Sequence, residues 1–212
     1  MKIDPEGRTT QGLTVLLQFV ALNLLYVVSC LPVVTAGAAT AALYEVTLRY
    51  ADEERGYLLS GYFVALRRNL WRGTAVLLAF GPPVAGAAFA AVFWLSSGSV
   101  LGTVAGVLAV LIAVHLAAAM LCGFALVARY DDPLGRTFRN AMLLPPAEPS
   151  RTGWLVLRPV ATVAVLYVAP QAIVIVATIG FSVGAYVDAL VLHNVFRRRQ
   201  GTDEPVSPHS GE

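Results

Sequence analysis

The sequence predicts an all-α fold: a polytopic transmembrane helical bundle of about five spans, with interfacial amphipathic helices between them. Two observations predict it. Hydrophobic residues make up 57% of the 212-residue chain and charged residues only 13%, about half the charged share of a soluble domain. The charges also collect between apolar runs of about 20 residues, the length that crosses ~30 Å of hydrocarbon. A soluble domain has no reason to segregate its charges this way. The lipid bilayer is therefore the first expected partner.

The same composition excludes other classes. A net charge of +2, with no basic patch interleaved with aromatics, argues against nucleic acid. Cys30 and Cys122 both lie inside apolar runs and read as inert packing thiols. There is no CxxC, no Cys/His cluster, no HExxH, no GxSxG and no phosphate-binding GxxxxGK[ST]. No metal, no cofactor and no enzymatic activity is expected from these patterns.

The first span is expected over 12–34, apolar apart from Thr14, Gln18, Asn23 and Ser29. A cleaved signal peptide, cut near Ala36-Gly37-Ala38, is the alternative. The apolar run exceeds the usual length of about 7–15 residues for such a segment, and the pattern continues through the supposed cleavage site. Pro32 disfavours helical geometry at Leu31, so the span should kink or end there. Thr35 is placed to cap a helix from Ala36 to about Tyr50. On that helix Glu45 and Arg49 are four apart, in the favourable order. The chain then turns polar over 52–56.

Residues 57–72 read as an amphipathic helix lying in the interface. Leu59, Tyr62, Phe63, Leu66 and Leu70 recur at helical spacing, with Arg67, Arg68 and Arg72 opposite and Trp71 at headgroup level. Such a helix serves as an anchor or docks a partner. The second span, 73–95, is interrupted by Pro82-Pro83, which should kink it. A tight turn at 96–99 leads to a third span over 100–127. Gly98, Gly102 and Gly106 leave one face of its start bare for close helix approach.

Residues 128–154 are polar, with a short apolar stripe of Leu134, Phe138, Ala141 and Met142. Arg68-Asn69 and Arg139-Asn140 each precede a span, a faint echo of duplication. From Trp154 to Phe196 the chain is almost wholly apolar. One helix of that length would be over ~60 Å, twice the hydrocarbon core, so it must break. The glycines of 179–184 are the expected place, giving a fourth span over 154–177, kinked at Pro170, and a fifth over 181–196. Residues 1–199 then form a single transmembrane domain and 200–212 a disordered polar tail.

Arginines concentrate in 36–72, in 128–154 and after the last span, and none lies in the other two connections. The positive-inside rule places these arginine-rich segments and the C-terminus in the cytoplasm of a cell-membrane protein, with the N-terminus outside. A first span that is re-entrant, broken at Pro32, would instead leave the N-terminus cytoplasmic. Three polar residues fall at membrane depth: Asn23, His115 and Asp188. Asn23 reads as interhelical glue. His115 reads as a satisfied structural residue, and Asp188 requires a partner or a watery pocket. His193 and Asn194 follow near the last span's end.

The run Leu31-Pro32-Val33-Val34-Thr35-Ala36-Gly37-Ala38-Ala39-Thr40-Ala41-Ala42-Leu43-Tyr44 resembles the LPVVTxGxATxALY motif of the YesL-like integral membrane proteins. That family has no assigned biochemical activity. Ala38 stands where the family is expected to carry Pro. The motif residues Leu31, Pro32, Thr35, Gly37, Thr40 and Tyr44 are thus the candidate functional stretch. The resemblance implies a companion of carbohydrate uptake, an association and not a mechanism. The expected function is a non-enzymatic accessory protein linked to carbohydrate uptake or sensing, with a carbohydrate permease or membrane sensor as partner. The alternative is a small transporter or channel in its own right; an intramembrane enzyme ranks third. A transporter should bring polar side chains together on one cavity. An accessory protein should present a grooved or small-residue face outward.

Overall fold

The computed structural model describes residues 5–53 and 58–200, with side chains described for 12–51, 58–150 and 152–190. The expected tail beyond Gln200 lies outside the described residues, and so do the side chains of His193 and Asn194. Among the described residues every regular element is helical: α1 (Pro5–Cys30), α2 (Ala36–Glu53), α3 (Leu58–Leu95), α4 (Val100–Arg129), α5 (Leu134–Ala147), α6 (Pro149–Val168), α7 (Ile173–Ile175) and α8 (Phe181–Gln200). Four stretches are long and apolar enough to cross a membrane: Gly12–Cys30, Leu58–Leu95, Val100–Arg129 and Pro170–Leu190. Thr152–Val168 is apolar but shorter.

Pro32 ends α1 as expected. It is extended, with φ −76° and ψ 110°, and a 3₁₀ turn over Val33–Thr35 follows. The chain then reverses. Phe19 packs edge-on against Tyr50, with ring centroids 5.7 Å apart, and Tyr26 reaches Thr40 at 3.3 Å. Rising numbers on α1 meet falling numbers on α2, so the two form an antiparallel hairpin. The start of α1 therefore lies beside the end of α2. An antiparallel pair of this kind is what the re-entrant alternative requires of α1 and α2.

The helix after the turn is not a surface segment. Residues 37–39 and 41–48 are all buried, with α1, α3, α4 and α8 around them. Small side chains make this possible: Ala38, Ala39, Ala41 and Ala42 are fully buried and let neighbouring helices approach. Glu45, the one acid inside this stretch, is held by Arg49 and Arg68, each at 2.9 Å, and by Asn69 at 2.6 Å. The expected Glu45–Arg49 pair is thus one edge of a larger cluster around the buried Glu45 carboxylate, with both arginines half exposed.

The amphipathic helix expected over 57–72 and the span over 73–95 are one continuous helix, α3. Its buried stripe runs Leu58, Tyr62, Ala65, Asn69, Gly73, Val76 and Phe80, steps of three and four that keep one face turned inward. Phe63 and Leu70, expected on the apolar side, and Trp71, expected at headgroup level, are exposed. The helix continues through Pro82 and Pro83. At 1.5 Å per residue it is about 57 Å long, so it outreaches the hydrocarbon core.

Gly98 makes the turn to α4 with φ +67°, a left-handed conformation that glycine adopts without strain. Ser99 caps α4, its hydroxyl accepting from the Gly102 N–H at 3.0 Å. A Cβ on Gly102 would lie 2.8 Å from the Trp94 carbonyl oxygen, and one on Gly106 2.6 Å from Leu95 Cγ. The bare face of α4 therefore packs on the end of α3. At the far end Arg72 holds the α4–α5 connection, reaching Asp131 Oδ1 at 2.8 Å and the Tyr130 and Asp132 carbonyls at 2.9 and 2.7 Å. Helix α5 is amphipathic as expected, with Thr137, Ala141 and Pro145 buried and Arg136 and Arg139 exposed. It is separated from α6 at Glu148, whereas Asn69 sits inside unbroken α3. The two Arg-Asn pairs thus occupy different settings, and the duplication is not seen.

The last apolar stretch breaks at a proline, not at the glycines. Ala169 leaves the helical region, with φ −133° and ψ 80°, because Pro170 disfavours helix at the residue before it. A 3₁₀ turn over Pro170–Ala172, α7, a π-helical turn over Val176–Gly180 and α8 follow without interruption. The expected break at 179–184 is therefore corrected: that region is a distorted part of one helix running back along α6.

Candidate functional site

The folding back of the chain at Ala169 brings α6 against α8, and with it Arg158 against Asp188. Arg158 Nη2 lies 2.6 Å from Asp188 Oδ2. The Tyr44 hydroxyl, from α2, donates to the same oxygen at 3.1 Å. Asp188 and Tyr44 are buried. Asp188 Oδ1 and Arg158 Nε have no hydrogen-bond partner among the described residues. Gly184 makes room for the pair: a Cβ there would stand 3.0 Å from Arg158 Cζ. A carboxylate at this depth is costly unless paired, and Arg158 is the charge that pairs it.

Beside this group lies a cavity of about 400 Å³ lined by residues of α1, α2, α3, α4, α6 and the α7–α8 stretch. Its polar wall is Tyr26, Thr40, Tyr44, Arg158 and Thr162, and the rest is apolar, with Leu77, Met120, Leu121, Phe124 and Phe181 among it. Ala36, Thr40 and Tyr44 of the motif all face it, since positions four apart share one side of a helix. Arginine 158 forms its charged corner, with a quarter of its side chain (26%) exposed.

The remaining motif residues build the turn that aims this face. The Thr35 hydroxyl donates to the Ser29 and Pro32 carbonyls at 2.7 and 2.8 Å. It therefore meets carbonyls freed by the end of α1, the reverse of the expected N-cap. Gly37 is helical, not left-handed; what it provides is closeness to Gly73, whose own Cβ would lie 2.6 Å from the Gly37 oxygen. Thr74 bonds the Val34 carbonyl at 3.0 Å. Leu31 and Pro32 are exposed at the tip of the hairpin.

Asn23 is glue, as expected. Its Nδ2 donates to the Val176 carbonyl at 3.3 Å and to the Ala177 carbonyl, and its Oδ1 accepts from the Ser182 N–H at 2.8 Å. These are backbone groups of the π turn and of the start of α8, so Asn23 ties α1 to that distortion. His115 does not join Asp188. It lines a separate groove of about 440 Å³ with Pro145, Pro146, Pro149 and Thr152.

Three functional residues escaped the sequence reading. Arg158 was visible only as an arginine just inside an apolar run; an intramembrane arginine needs a carboxylate, and Asp188 is the one acid in the last apolar stretch. Gly73 and Gly184 carried no signal, since their role depends on what faces them.

The family model for a protein of unknown function, DUF624, matches residues 19–90. No curated protein matches the chain, and no solved structure matches it. The matched third holds α2, the latter part of α1 and most of α3, and so contains Asn23, the motif, Tyr44 and Gly73; Arg158 and Asp188 lie outside it. The chain is similar over that segment to a family whose function is unassigned, and its apolar helices make it a membrane protein.

Proposed function

We propose that this chain is a non-enzymatic, multi-pass protein of the cell membrane that takes a small solute into the cavity beside Arg158, for uptake or for sensing. One observation supports this most: Thr40, Tyr44, Arg158 and Thr162 come from two helices onto one cavity, whose ~400 Å³ is within the range of small-molecule sites. The small-residue faces that an accessory protein would offer outward are used inside the chain, Gly37 on Gly73 and Gly102 and Gly106 on the end of α3. Carriage or sensing of a solute therefore ranks ahead of an accessory role beside a carbohydrate permease or sensor, which rests on the sequence resemblance. Arg49, Arg68 and Arg72 gather where α2 ends and α4 leads into α5. By the positive-inside rule that end is cytoplasmic, and the start of α1 lies with it.

The test is a thermal-shift panel of neutral saccharides, organic anions and organic cations on the purified chain in lipid nanodiscs, beside Val163→Trp. Val163 is an exposed residue on the cavity wall, so tryptophan there obstructs the cavity without disturbing the core. A solute that raises the melting temperature of the parent and not of Val163→Trp supports the reading. A flat panel, with a permease co-purifying in mild detergent, overturns it in favour of the accessory role.

A further inference from the structure

We propose that the solute is a small organic monoanion with an apolar body, and that it binds by taking Arg158 from Asp188 while a proton moves onto Asp188. This rests on the solute-binding reading above and names the chemistry of its ligand. Among the described residues Arg158 is the single charged one on the cavity wall. The hydroxyl hydrogens there are already committed: Thr40 to the Ala36 carbonyl at 2.8 Å, Thr162 to the Arg158 carbonyl at 3.0 Å, Tyr44 to Asp188 at 3.1 Å. A polyol would find few donors. An anion with an apolar body finds one guanidinium and a wall of Leu, Met and Phe side chains.

The ion pair is incomplete on both sides, with a donor on Arg158 and an acceptor on Asp188 unmet. Buried polar groups are almost always satisfied, and an exception requires a reason. A second arrangement supplies one. Before binding, Arg158 and Asp188 sum to zero charge. If the anion entered alone, two negative charges would face one positive charge at membrane depth, which is costly. When a proton from water bonds to a carboxylate oxygen of Asp188 as the anion takes Arg158, the sum is again zero. Tyr44 keeps the protonated acid in place by donating to its other oxygen. Among the described residues the charged and titratable groups facing Asp188 are Tyr44 from α2 and Arg158 from α6. Tyr26 of α1 faces the cavity and pairs with Thr40, while α3 and α4 present apolar side chains there.

The experiment uses the full chain in nanodiscs, with benzoate and hexanoate as anions and benzamide and glucose as neutral probes, at pH 5.5 and 7.5. At least one anion should bind, each neutral probe at least about tenfold more weakly. The anion's Kd should tighten by up to about tenfold per unit fall in pH, with one proton taken up per anion in weak buffer. Asp188→Asn should bind the anion without pH dependence and without proton uptake, at least as tightly as the parent at pH 5.5. Arg158→Gln should lose binding. Because it leaves Asp188 unpaired, the Arg158→Gln/Asp188→Asn double variant, with neutral amides in both places, is measured beside it and should also lose binding. Anion binding with no pH dependence and no proton uptake overturns the exchange. A neutral probe binding as well as the anions, and blocked by Val163→Trp, overturns the ligand class while the solute-binding reading stands. Binding by none of the probes or panel solutes overturns both.

Discussion

Gly37 and Gly73 each stand in the space that the other's Cβ would need. A Cβ on Gly73 would lie 2.6 Å from the Gly37 oxygen and 2.7 Å from Ala38 Cα; one on Gly37 would meet the Gly73 oxygen and lie 2.8 Å from Leu77 Cβ. Backbone sits on backbone, and neither helix has a flexible side chain that can yield. Gly37→Ala and Gly73→Ala should each destabilise by about 1–3 kcal/mol or more, as overpacking does. Gly86, with nothing within 4 Å of its Cβ position, should tolerate alanine without loss. Melting followed by fluorescence-detected gel filtration reads all three, and equal melting of Gly37→Ala and Gly86→Ala refutes the crossing.

Thr35 tests which way its hydroxyl works. It donates to the Ser29 and Pro32 carbonyls, so Thr35→Ala should cost about 1 kcal/mol, while Thr35→Ser keeps the donor and should melt near the parent. Serine melting like alanine would mean that the methyl group, not the hydroxyl, holds the turn.

Asn23 pairs with three backbone groups around the π turn. Asn23→Leu should leave them unmet and cost about 1–3 kcal/mol, with faster hydrogen exchange across 176–182 than in α4. Unchanged exchange there would show that the distortion needs no support from α1.

The hairpin makes a labelling prediction that separates it from a five-span bundle. In a Cys30→Ala/Cys122→Ala background, Ser97→Cys should react with an impermeant thiol reagent outside whole cells. Ser60→Cys and Gly12→Cys should both be protected. Reaction of Gly12→Cys from outside would put the start of α1 on the far face and break the hairpin.

For the ion pair, removing one partner of a buried pair typically costs about 3–5 kcal/mol, with less expected here because Arg158 is partly exposed to the cavity. Arg158→Gln and Asp188→Asn should each lower the melting temperature, and the double variant should recover part of the sum. A strictly additive double variant would mean that the two charges do not interact.

The helical class was legible because hydrophobic run length answers directly to membrane thickness. So was the stop at Pro32, where a ring removes a donor and blocks the preceding residue. What the sequence concealed was burial. Residues 36–50 carry Glu45, Arg49 and many alanines, so their hydropathy is modest and they read as a surface helix; small side chains and a paired acid let 37–48 lie inside the bundle instead. The break at 169 and not at 179–184 follows the same logic. Pro170 acts through its own ring and needs no neighbour, whereas Gly180 and Gly184 break a helix only if nothing packs against it, and Gly184 faces Arg158. Thr40, Tyr44 and Asp188 could be picked out singly. That they converge could not, because Tyr44 and Asp188 are 144 residues apart.

That separation sets a clock on synthesis. Asn23 and Tyr44 leave the ribosome about 150 residues before their partners, a delay of roughly 8–30 s at ~5–20 residues per second. Arg158 precedes Asp188 by a much shorter interval, roughly 2–6 s at the same pace. Through the longer wait the first hairpin holds an amide and a phenol with no last helix to receive them. A nascent chain released before α8 is therefore a membrane protein with polar groups turned towards lipid, which is the kind of exposure that membrane quality control can recognise.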